Sequence, residues 1–224
     1  IDRAEDRTKF SLLLDILHIS QPAWNQFSNI EAAERFCEKV GYPVLIRPSY
    51  VLSGSNMKVC HNREELKAFL EKASTVSTDY PVVVSKFIKD AKEIEVDCVA
   101  EKGILKAFVV SEHVEDAGVH SGDATIVLPP QKVCTDTQKQ LRHIAESMAK
   151  ALSISGPFNI QCLAKDNTVS VIETNLRASR TFPFISKVTG VDFINLAVNA
   201  FFNPTSSLPS PLRRGQGEVY VLPN

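Results

Sequence analysis

"FNIQCLAKDNTVSVIETN", residues 158–175, alternates apolar and polar side chains on both sides of Asp166-Asn167. A period of two marks a strand with one buried face, because successive side chains point to opposite sides of the pleat. An Asp-Asn pair between two such runs is hairpin chemistry, since both residues tolerate the left-handed backbone of a tight turn. The stretch predicts antiparallel strands at 158–164 and 169–175. Residues 93–112 repeat the pattern around Lys102-Gly103 and predict a second hairpin. Further β-rich runs fall at 44–47, 57–60, 82–88 and 124–128.

Helical spacing occupies the intervals. Asp2 with Glu5 precedes Phe10, Leu13, Leu14 and Leu17, and Ser28 with Glu31 precedes Ala32, Ala33, Phe36, Cys37 and Val40. In each, a capping residue stands ahead of apolar residues that recur on one helix face. Asn62 with Glu65 starts a third helix, Thr135 with Gln138 the longest, and a fifth follows Asp192. Helices clustered early and hairpins later predict an α+β architecture rather than regular βαβ alternation. The expected organisation is a smaller lobe at 1–79, a larger lobe at 80–203, and a divergent or disordered tail at 204–224. The boundary falls near "STVSTDYP" (74–81).

The 224-residue chain carries a net charge of −1, so no polybasic field points to nucleic acid or an anionic membrane. No apolar run approaches the roughly 20 residues of a membrane span. The five cysteines are widely spaced without a Cys-x-x-Cys pair and read as free thiols, mostly buried, in a reducing compartment. "IDRAEDRTKF" at the start has neither a signal-peptide core nor an acid-poor transit pattern. The expected location is the cytoplasm, with the mitochondrial matrix as the alternative, and the chain is expected to be part of a larger polypeptide.

Several residue groups bear on chemistry. Strict alternation puts Val169, Val171, Glu173 and Asn175 on one face of their strand, and Asn159 and Gln161 on one face of the partner. A carboxylate and an amide two residues apart, with another amide opposite, offer the hard oxygens that Mg²⁺ takes alongside waters and substrate phosphates. Arg177 and Arg180 follow in "NLRASRTFPF" as cations suited to phosphate oxygens. A solvated polar face with an exposed arginine pair is the other reading of this pattern. Glu93, Glu95 and Asp97 share a face opposite Ile94, Val96 and Cys98. Either that face is solvated, or Glu93 accepts hydrogen bonds from a ribose while the other two pair with basic groups. In the loop 111–125, Gly118 and Gly122 bracket Val119, His120 and Ser121, where a backbone can pass close to a ligand. "RPSYVLSGSN" (47–56) has neither a P-loop nor a Rossmann glycine pattern and reads as a surface loop or a cover over phosphates.

Taken in order, six segments closely resemble the ATP-grasp module of carbamoyl-phosphate synthetase large subunits, in its second, carbamate-phosphorylating half. They are "EDRTKF", "GYPVLIRPSYVLSG", "VVVSKFIKDAKEIEVDCVA", "EHVEDAGVHSGDAT", "GPFNIQCLAK" and "VIETNLRASRTFPFISKVTGVDF", and they span about residues 1–202. The resemblance implies two lobes with mainly antiparallel sheets clasping a nucleotide, residues 47–56 being a flap over its phosphates. It implies nucleotide contacts from Arg7, Arg47, Lys86, Ile88, Glu93, Gly118, Val119, His120, Ser121, Gln161 and Glu173. Gln161, Glu173 and Asn175 would bind Mg²⁺ or Mn²⁺, and Arg177 and Arg180 would be catalytic. ATP and carbamate, formed from bicarbonate, are the implied substrates, in pyrimidine or arginine biosynthesis. The remaining synthetase domains and a glutaminase domain or subunit are the implied partners. The alternatives are another ATP-grasp carboxylate–amine ligase, a biotin-type carboxylase, or a non-catalytic ATP-binding regulatory domain. "AGVHSGDAT" and "NLRASRTFPFISK" favour the synthetase.

Overall fold

The computed structural model describes residues 2–48, 57–76, 82–117 and 124–202. Of the flap expected at 47–56, residues 49–56 lie outside them, as do Gly118, Val119, His120, Ser121 and the 204–224 tail, while Arg47 and Pro48 fall at the end of a strand. The chain begins with α1 (Asp2–Glu5), α2 (Arg7–Ile16), β1 (Trp24–Phe27), α3 (Ile30–Val40), β2 (Val44–Pro48) and β3 (Lys58–Cys60). There follow α4 (Arg63–Val76), β4 (Val82–Lys86), β5 (Lys92–Glu101), β6 (Ile104–Asp116) and β7 (Ile126–Val127). The last elements are α5 (Thr135–Ala151), β8 (Gly156–Lys165), β9 (Thr168–Asn175), α6 (Phe182–Thr189) and α7 (Phe193–Phe202).

The chain divides into two units: Pro22–Asp90, and Ile1–Gln21 together with Ala91–Asn224. This corrects the expected 79/80 boundary in two ways. Strand β4 hydrogen-bonds to β1 and β2, so residues 82–86 belong to the first sheet, ordered β1-β4-β2-β3. The N-terminal helix α2 buries Phe10, Leu13 and Leu14 in the core of the larger unit. Strand β1 and helix α6 are elements that sequence spacing did not expose.

The smaller unit packs Ala33 and Cys37 of α3 and Leu66 and Leu70 of α4 against Val44, Ile46 and Val84 of its sheet. In the larger unit, an antiparallel sheet ordered β7-β6-β5-β8-β9 is covered on one face by α2 and α5. Leu141, Ile144 and Met148 of α5 meet Ile94, Val96, Phe108, Phe158 and Ile160 there. Part of the opposite face is covered by α6 and α7, whose Phe182, Ile185 and Phe193 pack on Val99, Ala107 and Val109. Each of these Val, Leu, Ile, Met or Phe side chains contributes about 1.5–3 kcal/mol on full burial.

Both predicted hairpin turns are left-handed, with φ of 48° and 79° at Lys102 and Gly103, and 48° and 62° at Asp166 and Asn167. These are the positive angles that a two-residue turn between right-twisted strands demands. Helix starts move by a few residues. Asp6 rather than Asp2 caps α2, accepting from Lys9 N at 2.9 Å, and Asn29 rather than Ser28 caps α3, accepting from Ala32 N at 3.2 Å. Asn62 caps α4 as expected, its Oδ1 accepting from Glu65 N at 2.9 Å. Among the described residues, no helix is long and apolar enough to cross a membrane.

The cysteines are all free, with four buried and Cys134 exposed at the N-cap of α5. Burial pushes the Cys37 thiol up to about 11 and raises Cys60, Cys98 and Cys162 as well. Hydrogen bonds from the Thr137 hydroxyl and backbone lower the Cys134 pKa. The thiolate is the reacting form, so its fraction and its exposure favour the same residue. Ellman's reagent is therefore expected to titrate one thiol in the folded chain and all five after unfolding. A second fast thiol in the folded chain would contradict this packing.

Candidate functional site

The polar face of the larger sheet is built by register. β5 places Glu95 opposite Gln161 and Asp97 opposite Asn159 on β8. β8 in turn places Gln161 opposite Glu173 and Asn159 opposite Asn175 on β9. Two rows therefore cross three neighbouring strands, Glu95–Gln161–Glu173 and Asp97–Asn159–Asn175.

Strict alternation along β9 does not survive. Between Gln161 and Cys162 the register slips, so that Val171 faces Cys162 and Ile172 is the extra residue of a bulge. Val169 and Val171 join the apolar core on one face, while Glu173 and Asn175 pair with the polar residues on the other. Four residues expected on a single face are thus split in two. Valines under α5 remove apolar area from water, whereas an acid there would lose its hydration without a partner. An added residue changes the phase by one and absorbs the conflict. From α2, Arg7 Nη1 donates to the carbonyl of Ile172 at 2.6 Å and holds the bulge.

Carboxylates fix the amides. Asn175 Nδ2 donates to Glu173 Oε1 at 3.0 Å, Gln161 Nε2 to Glu95 Oε1 at 3.5 Å, and Asn159 Nδ2 to Asp97 Oδ1 at 3.0 Å. An amide whose NH₂ is held by a carboxylate keeps its carbonyl oxygen as a remaining acceptor. Gln161 and Asn175 therefore offer oxygen beside the Glu173 carboxylate, a donor set that fits a hard divalent cation. Among the described residues, no group of three or more His, Cys, Asp or Glu converges as a metal site, so a cation here depends on the amides. Gln161, Glu173 and Asn175 are half-buried, and Arg177 and Arg180 are exposed.

The acidic face of β5 is buried rather than solvated, with Glu93, Glu95 and Asp97 7%, 5% and 0% exposed. Of the two acids expected to meet basic groups, Glu95 faces His113, whereas Asp97 meets an amide and a hydroxyl instead. Glu95 Oε1 lies 3.6 Å from Nε2 of buried His113, an electrostatic contact too long for a hydrogen bond. Burial opposes protonation of His113, but Glu95 and then Glu93 outweigh it and raise its pKa. Asp97 Oδ2 accepts from Thr181 Oγ1. Burial pushes the Asp97 carboxyl up, and hydrogen bonds from Ser179, Thr181 and Asn159 oppose the shift.

Other expected site residues lie in the smaller unit. Lys86 Nζ donates to the carbonyls of Gly41 and Tyr42 at 3.0 and 3.1 Å, Arg47 Nε lies 3.3 Å from Met57 Sδ, and Ile88 is half-buried. A cavity of about 150 Å³ lined by Lys92, Glu112, Lys132, Cys134 and Asn167 includes none of the candidate residues. Its lining also includes Thr137 of α5.

Residues 6–201 match the family described as "Carbamoyl-phosphate synthase L chain, ATP binding domain". The chain belongs to this family. This synthase domain is 52% identical over 200 residues to the multifunctional protein pyrABCN of Emericella nidulans, covering 89% of the chain and 9% of that protein. It is 52% identical over 218 residues to the mitochondrial arginine-specific carbamoyl phosphate synthase large chain of Neurospora crassa, covering 95% of the chain and 19% of that protein. The domain thus spans between a tenth and a fifth, roughly, of these relatives' lengths. Among solved structures, it is similar to the biotin carboxylase domain of Hydrogenobacter thermophilus 2-oxoglutarate carboxylase, determined with MgADP and bicarbonate. The TM-score is 0.73 at 19% identity, over 89% of this chain and 45% of that one. At that identity the likeness shows the fold, which is the expected α+β ATP-grasp.

Proposed function

We propose that this domain binds ATP with Mg²⁺ and phosphorylates carbamate within a larger synthase, releasing carbamoyl phosphate and ADP. One observation carries the reading. Two cross-strand rows bring Gln161, Glu173 and Asn175 together and turn their amide donors onto carboxylates, leaving oxygens for a cation. The family match and the MgADP and bicarbonate bound by the H. thermophilus domain support it.

In the reaction, an oxygen of carbamate attacks the γ-phosphorus of ATP as the bond to the β-phosphate oxygen breaks. Such a transfer needs little covalent help and depends on in-line placement and neutralised charge. Gln161, Glu173 and Asn175 would hold Mg²⁺, which when bound neutralises phosphate oxygens; Mn²⁺ suits the same donors. Arg177 and Arg180, fixed cations just beyond β9, would stabilise the transferring phosphoryl group. Glu93 would accept from the ribose, and Arg7 would hold the backbone immediately before Glu173. The family resemblance adds Arg47, Lys86, Ile88 and residues 118–121 to the nucleotide contacts. It also supplies the partners, namely further synthetase domains and a glutaminase.

The intact protein, given carbamoyl phosphate, ADP and Mg²⁺, is expected to form ATP, and chelating the metal is expected to stop it. MgATP binding without ATP formation would instead favour the non-catalytic domain, and the proposal would fail.

A further inference from the structure

Asp97 is fully buried on β5, the middle strand of the five-stranded sheet, and its two carboxylate oxygens go in different directions. Oδ1 accepts from Asn159 Nδ2 at 3.0 Å, within its own cross-strand row. Oδ2 accepts from the Thr181 hydroxyl, 84 residues further along the chain. Thr181 Oγ1 also lies 2.6 Å from Ser179 Oγ. A buried carboxylate is strongly penalised unless it is paired or fully hydrogen-bonded, so an acid kept at this depth has work for both oxygens.

The conformation of Thr181 shows where that work is directed. Thr181 is the N-cap of α6, yet its side chain makes no capping bond. A threonine there ordinarily accepts from a backbone N–H two or three residues on, stabilising the helix by about 1 kcal/mol. Here the hydroxyl is turned away from the helix and into the sheet. Pro183 in the first turn removes one N–H that would need a cap, and so makes the diversion cheaper. The segment that leaves β9 is thereby tied to β5 at Thr181 and Ser179. Arg177 lies between Asn175, the end of β9, and this tie, and Arg180 lies between its two hydroxyl residues. Both side chains are exposed, and Arg177 Nη1 donates to the neighbouring Ala178 carbonyl at 3.2 Å. The backbone that carries the two guanidinium groups then sets the points from which their side chains reach out.

We infer that Asp97 is a positioning residue which, through Thr181 and Ser179, fixes the Leu176–Arg180 segment against the sheet and so sets Arg177 and Arg180 relative to Glu173 and Asn175. This rests on the phosphoryl-transfer reading for its catalytic consequence, but the tie itself is independent of the substrate.

The test uses Thr181→Val, which keeps the shape and loses the hydroxyl, and Thr181→Ser, which keeps the hydroxyl, both in the intact protein. Amide hydrogen exchange is followed over residues 176–181 with strands β8 and β9 as internal reference. ATP hydrolysis is measured after subtracting the rate that remains in Glu173→Gln, which removes any contribution from other sites. Thr181→Val is expected to speed exchange at 176–181 at least tenfold, roughly, with the strands unchanged. It is also expected to lower kcat about 10- to 100-fold, as a misplaced catalytic group does, with KM for ATP within about threefold. Thr181→Ser restores both. A merely structural role would instead loosen the strands with the loop and would not be rescued selectively in kcat. Unchanged exchange at 176–181, undiminished kcat, or a serine variant no better than valine would each overturn the inference. Should Thr181→Val not fold, Ser179→Ala, which shortens the same chain by one link, carries the same readings with a smaller expected effect. Whether wild type makes ATP from carbamoyl phosphate judges the substrate proposal separately.

Discussion

The Glu173→Gln substitution is expected to lower Mg²⁺-dependent ATP formation by at least about a hundredfold while the melting temperature stays close to wild type. Glutamine has nearly the same shape, and its carbonyl oxygen can still accept from Asn175 Nδ2, the bond that Glu173 Oε1 accepts at 3.0 Å. Position 173 is only half-buried, so a neutral amide there leaves no costly orphan. What disappears is the one formal negative charge among Gln161, Glu173 and Asn175. Three neutral oxygens are a poor match for a hard divalent cation, whose affinity follows ligand charge. The apparent Mg²⁺ requirement is accordingly expected to rise, and added Mg²⁺ to recover part of the rate. Near-normal turnover at limiting Mg²⁺ would remove Glu173 from the proposed cation site.

That an acid and several amides meet on these paired strands could be read from "VIETN" and "NIQ", while the choice of Gln161 with Glu173 and Asn175 rests on the family resemblance. The face they occupy could not be read by counting in twos. Val171-Ile172 is an apolar doublet in an otherwise alternating run, and the doublet is where the bulge falls. A break in period flanked by residues of opposite preference was the available signal. Glu95 and Asp97 show a different limit. Alternation correctly grouped them with Glu93, but whether a polar face meets water or other polar groups depends on elements distant in sequence. Asp97 finds Asn159 from 62 residues away and Thr181 from 84. No local pattern announces such partners, although an acid inside "EVDCVA", among β-branched and small apolar residues, marks a buried charge that must be answered somewhere. Likewise α6 was hidden because Thr181-Phe182-Pro183 resembles an extended stretch, whereas proline within a first helical turn is as natural as proline in a strand edge. The unit boundary shifted to residue 90 because a strand belongs to the sheet that pairs with it, and β4 pairs with β1 and β2.

Phe158→Ala tests the complementary half of the architecture and is expected to cost about 3–5 kcal/mol of stability, the range for emptying a fully buried aromatic site. Phe158 is 0% exposed, lies opposite Cys98, and packs in the core between the sheet and α5. It is also the immediate neighbour of Asn159 and stands three residues before Gln161. Along β8, Phe158, Ile160 and Cys162 point into the core while Asn159 and Gln161 serve the polar face. Stability and chemistry therefore alternate residue by residue on one strand and act in opposite directions normal to the sheet. A cavity beneath the sheet leaves the hydrogen-bonded rows above it intact as long as the backbone register holds. The urea midpoint is expected to fall, with kcat for ATP formation within about threefold of wild type at temperatures where the variant remains folded. Glu173→Gln should give the reverse pattern, an unmoved midpoint with lost turnover. If Phe158→Ala abolished activity in a fully folded protein, the two faces would be coupled more tightly than side-chain alternation allows. The polar rows would then owe their geometry to core packing as well as to register.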